Sequence, residues 1–67
     1  MINHSTSLTK KEREQDFQNR VRKMRERVIE GGFWKCSPYD QDRLEDMTYP
    51  YSQDDADWLA DLEIQVL

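Results

Sequence analysis

The stretch that decides the fold is residues 9–32, Thr9-Lys-Lys-Glu-Arg-Glu-Gln-Asp-Phe-Gln-Asn-Arg-Val-Arg-Lys-Met-Arg-Glu-Arg-Val-Ile-Glu-Gly-Gly32. Its opening, Thr9-Lys10-Lys11-Glu12, fits a capping box. The threonine hydroxyl accepts from the Glu12 N–H, and the Glu12 carboxylate reaches back to Thr9. Apolar residues then recur at Phe17, Val21, Met24 and Val28, in steps of four, three and four, which lays one stripe along a helix. Gly31-Gly32 is the kind of pair that ends a helix by taking up positive φ. The spacing predicts a helix over about 10–30. Residues 1–8 carry no pattern and are expected to be a flexible tail, which leaves 9–67 as a single small helical domain.

Working outward, Ser37-Pro38 predicts a second start, with serine as N-cap and proline at the first helical position. A helix over 38–47 would bury Leu44 and Met47. It must stop before Tyr49-Pro50-Tyr51, because the residue preceding a proline avoids the helical region. Ser52-Gln53-Asp54-Asp55 predicts a third start, with acids in the first turn favoured by the helix dipole. Over about 53–64, Trp58, Leu59, Leu62 and Val66 share a face. The last residues, Leu62 to Leu67, also alternate in a manner compatible with a short strand. No repeat and no low-complexity tract is present. The expected fold is all-α, a small bundle of two to three short helices with a long first helix as its spine.

Composition narrows the class. Sixty-seven residues make one domain at most, and a chain this short buries only about 60% of its unfolded surface. Hydrophobic residues are 36% of the total and charged residues another 36%, a balance that borders on that of disordered chains. Two Trp, three Tyr and two Phe argue instead for a folded domain with little core to spare, completed by a copy of itself or by a partner. A lone cysteine, Cys36, excludes an internal disulfide, and one Cys with one distant His4 makes no zinc site. No apolar run approaches a membrane span, and the polar start MINHSTSLTKKERE has no signal-peptide core. The expectation is a cytoplasmic protein without metal or cofactor.

Charge is split along the chain. Residues 1–35 hold nine Lys/Arg against five Asp/Glu, net +4. Residues 36–67 hold only Arg43 against nine acids, net −8; together these give the overall −4. Such asymmetry points to partners. Catalysis is set aside first, since an acid–base pair needs a concave site that excludes water, which so thin a core can hardly build. The first helix offers Arg20, Lys23 and Arg27 to phosphates. Arg13, Arg20 and Arg27 lie seven apart along one edge of the apolar stripe, so the same cations equally suit the flanks of a helix–helix seam. The overall negative charge makes nucleic acid the lesser expectation.

The third predicted helix presents Asp54, Asp57 and Asp61 at steps of three and four, with neighbouring carboxylates about 5–6 Å apart. That interval resembles phosphates along a strand, and the surface would suit the basic groove of a nucleic-acid-handling protein. The plain alternative is a solvated face that keeps a small chain in solution, or one paired with its own basic helix. Of the aromatics, Trp34 and Trp58 are expected to be mostly buried, and Tyr49 or Tyr51 to offer an exposed contact. Brevity, lack of a pocket and split charge are similar in general character to small accessory proteins of bacteriophages and mobile elements.

Three functions follow in order of expectation. The first is a non-enzymatic regulator or inhibitor that binds a protein with a basic surface through Asp54, Asp57, Asp61, Tyr49 and Tyr51. The second is a nucleic-acid-binding regulator using Arg20, Lys23 and Arg27. The third is a structural subunit that self-associates as a homodimer through Phe17, Val21, Met24 and Val28.

Overall fold

A computed structural model describes residues 9–67; the expected tail at 1–8 lies outside the described residues. Three helices follow one another: α1, Lys10–Gly32; α2, Pro38–Asp46; and α3, Gln53–Val66. A single 3-10 turn, Phe33–Lys35, extends the end of α1. The fold is all-α, as the periodicity predicted, and the helical course of α3 through Val66 excludes the strand alternative for the last residues.

Each helix starts where a capping side chain says it should. Thr9 and Glu12 exchange both bonds of a capping box, Glu12 N–H to Thr9 Oγ1 at 3.1 Å and Thr9 N–H to Glu12 Oε1 at 2.9 Å. Ser52 and Asp55 do the same for α3 at 3.0 and 3.1 Å. At α2 the Ser37 hydroxyl accepts from Asp40 N–H, with Pro38 in the first turn. These bonds satisfy backbone donors that a helix start otherwise leaves unpaired.

The end of α1 departs from expectation. No glycine takes positive φ, and the helix runs through both Gly31 and Gly32. Their role is close approach. A Cβ on Gly32 would lie 2.5 Å from Val66 Cγ2 and 3.1 Å from the Val66 carbonyl oxygen, and one on Gly31 would lie 2.9 Å from Leu67 Cδ2. The glycines thus let the C-terminal ends of α1 and α3 touch.

Partner residues along the two helices show that they run in the same direction. Gln18 meets Tyr51, Arg27 meets Glu63, and Gly32 meets Val66. α2 is the return between them, running back from the Gly32 end. The core is Val21 and Val28 of α1, Cys36, Leu44 of α2, and Leu59, Leu62 and Val66 of α3. Phe17, Met24, Phe33, Met47 and Trp58 pack around its rim.

The true seam of α1 is Gln18, Val21, Arg25, Val28 and Gly32, steps of three, four, three and four. It is rotated from the expected apolar stripe because two of its members are polar. Gln18 is 2% exposed. Its Oε1 accepts from Tyr51 N–H at 2.6 Å, and its Nε2 donates to Tyr51 O at 2.8 Å and to Glu14 at 2.9 Å. Arg25 Nε donates to the Leu44 carbonyl at 2.7 Å, closing the end of α2. Both side chains do the work of backbone partners where no helix hydrogen bond is available.

Candidate protein-interaction face

The outward side of α3 is built by the same periodicity that builds its core side. Leu59, Leu62 and Val66 point inward, so Asp57, Ala60, Asp61 and Ile64 are left on the exposed side. Asp54, Asp57 and Asp61 are all exposed, over about 10 Å of helix. They differ in their surroundings. Asp54 lies 3.0 Å from Arg43 Nη2 on α2. Asp57 accepts only from Gln53 Nε2, at 3.0 Å. Asp61 makes no side-chain hydrogen bond or ion pair among the described residues.

Arg43 ties α2 to α3. Its guanidinium lies 4.3 Å from the centre of the Trp58 ring and also reaches Asp55 at 3.5 Å. Burial pulls its pKa down, but the hydrogen bonds to Asp54 and Asp55 and the charges of Asp54 and Tyr39 together outweigh it, so the net shift is upward. Trp58 donates from Nε1 to Asp40 at 3.3 Å. This cluster is why Trp58 is half-buried, in keeping with the expected burial of that ring.

Four of the eight basic side chains of α1 are engaged within the chain. Arg20 pairs with Asp16 at 3.1 Å, Arg22 with Glu26 at 3.5 Å, and Arg27 with Glu63 of α3 at 2.8 Å. Arg25 is spent on the end of α2. Of the three cations singled out for phosphates, only Lys23 makes no ion pair among the described residues. Arg20, Lys23 and Arg27 do surround one shallow hollow, floored by Met24.

The self-association stripe is divided. Val21 and Val28 are almost fully enclosed in the chain's own core, while Phe17 and Met24 sit at its rim, partly exposed. The aromatics hold a correction. Trp34, expected to be buried, is 86% exposed. It follows the last turn of α1 on the solvent side, with its ring edge-on to Phe33 at 5.1 Å. Tyr49 is exposed. Tyr51 is half-buried, its ring edge-on to Tyr49 at 6.5 Å and its backbone clamped by Gln18. Tyr39, Ile64 and Leu67 are also exposed, none of them among the contacts expected from the sequence. Ile64 was findable, since it continues the Asp54–Asp57–Asp61 spacing by one further step of three.

Cys36 is buried and donates from Sγ to the Gly32 carbonyl at 3.3 Å. Burial, with a smaller contribution from the Asp40 charge, raises its pKa. Among the described residues no group of three or more His, Cys, Asp or Glu is placed to hold a metal ion, and no helix is long and apolar enough to cross a membrane. No family model matches the chain, and neither the curated proteins nor the solved structures provide a match.

Proposed function

We propose that the protein is a small non-enzymatic regulator or inhibitor that binds a protein with a basic surface through the outer face of α3, with Asp54, Asp57 and Asp61 as its charged contacts and Tyr49 at the near end. One observation carries the reading: among the described residues Arg20, Arg22, Arg27 and Arg43 are ion-paired within the chain, yet Asp57 and Asp61 stand in no ion pair on an exposed helix face. Charge so placed steers encounter with an oppositely charged partner. Internal engagement of Arg20 and Arg27 weighs against the nucleic-acid reading, because ion-paired side chains release fewer counterions from a phosphate backbone. A homodimer through α1 would have to rely on Phe17 and Met24, since Val21 and Val28 are already covered.

The test is capture from the source cells on immobilised wild-type chain and on the Asp54→Asn/Asp57→Asn/Asp61→Asn variant, quantified by mass spectrometry. At least one basic protein is expected on the wild type and depleted on the variant. Equal recovery on both contradicts the proposal.

A further inference from the structure

Three of the chain's exposed large apolar residues gather at one end of the bundle. Trp34 is 86% exposed, Ile64 82% and Leu67 59%. The end is continuous, because Leu67 packs beside Gly31 and Gly31 and Trp34 line the same shallow hollow. Along α3 the exposed residues Asp57, Ala60, Ile64 and Leu67 follow steps of three, four and three. That is the spacing with which one helix meets another. The outer face of α3 is therefore amphipathic lengthwise, acidic towards its start and apolar towards its end. Solvent-exposed Trp flanked by aliphatic side chains is the composition of interface anchors.

We infer that this face seats a cationic amphipathic helix of a partner protein, anchored by Trp34, Ile64 and Leu67. The inference rests on the acidic-face reading and adds the apolar contacts that hold the partner once it arrives. Charge selects the occupant. A second copy's α3 carries no Lys or Arg to meet Asp57 and Asp61. Of its own α1 stripe, Val21 and Val28 are taken up by its core. A helix carrying Lys or Arg towards one end and Leu towards the other, on one face, satisfies both halves.

The probe is a synthetic helical peptide of roughly five turns, about 18 residues, with one face carrying Lys in one half and Leu in the other. Two control peptides replace Leu by Ser or Lys by Glu. Fluorescence anisotropy of labelled peptide is read against the wild type, Trp34→Ala, Ile64→Ser, and Asp57→Asn/Asp61→Asn. The Lys/Leu peptide should bind the wild type, both controls should bind at least about tenfold more weakly, and Trp34→Ala and Ile64→Ser should each lose about tenfold or more. Both sites are exposed, and unchanged circular dichroism should confirm the fold. Equal binding by wild type and anchor variants overturns the inference, whatever the aspartates do. Anchor-dependent binding that ignores Asp57 and Asp61 leaves the apolar anchors standing but overturns the cationic occupant, and the acidic-face reading with it. A sedimentation mass that rises above 8.1 kDa with concentration, and is restored by Trp34→Ala, assigns the face to a second copy and overturns the inference.

Discussion

Replacing Gln18 with Leu tests the seam most sharply, because by apolar periodicity alone the change should help. Leucine has similar bulk and would gain about 1.5–3 kcal/mol from burial. It would also strip three hydrogen bonds from a side chain only 2% exposed. The Tyr51 N–H and C=O would both lose their partner, at about 1–3 kcal/mol for each polar group left unsatisfied. The net expectation is a loss of about 1–3 kcal/mol, since half-exposed Tyr51 recovers part of its hydration. In a domain of this size each kcal/mol moves Tm by roughly 4–8 °C, so thermal unfolding followed by circular dichroism should show a fall of roughly 5–20 °C. Gln18→Glu should be worse at neutral pH, where a carboxylate cannot donate to Tyr51 O and lies beside Glu14. Its deficit should shrink on acidification, because the protonated carboxyl regains a donor and that form is favoured by the fold. A Gln18→Leu protein as stable as the wild type would refute the clamp.

Other perturbations separate neighbouring residues. Gly32→Ala should destabilise by about 1–3 kcal/mol through overpacking against Val66. Gly31→Ala, which meets only the movable end of Leu67, should be neutral or gain up to about 1 kcal/mol of helix propensity; chemical denaturation of both variants checks the contrast. Val28→Glu should abolish folding while Met24→Glu retains it, as read by the near-ultraviolet signal of the two tryptophans. The raised pKa of Cys36 means its thiol stays protonated at pH values where an exposed thiol has begun to ionise. Alkylation should therefore be slow in the folded chain, accelerate on denaturation, and show its rise with pH displaced upward from that of a free thiol.

The helices were legible because their starts are written locally. Thr9/Glu12, Ser37/Pro38 and Ser52/Asp55 each cap within three residues of themselves, so no tertiary knowledge was needed. The core of α3 was legible for the same reason, since Leu59, Leu62 and Val66 are apolar and regularly spaced. The seam of α1 was not. Gln18 and Arg25 occupy buried or half-buried positions because their partners, the Tyr51 backbone and the Leu44 carbonyl, arrive from distant parts of the chain. A stripe drawn through apolar residues alone therefore slipped towards Phe17 and Met24. Gly31-Gly32 looked like a helix stop because glycine favours positive φ; here it serves the approach of Val66 and Leu67, which only the packed structure reveals. Trp34 was misplaced because a large aromatic beside a thin core invites burial, whereas the 3-10 turn after α1 carries its ring outward. Of the candidate face, Asp54, Asp57 and Asp61 were visible as a spacing. That Arg27 would be engaged within the chain was not, since its partner is Glu63 of a different helix.

Charge-steered association at α3 is the central claim. The measurement is the association rate of a captured basic partner with wild type and with Asp54→Asn/Asp57→Asn/Asp61→Asn, at low and at physiological salt. Equal melting temperatures should first show that the fold is retained, as exposed substitutions of this kind shift stability by only about half a kcal/mol each. The wild-type rate should be of order tenfold faster than the variant's at low salt and fall steeply as salt is added, while the variant's changes little. Association rates that match at both salt concentrations would contradict the account.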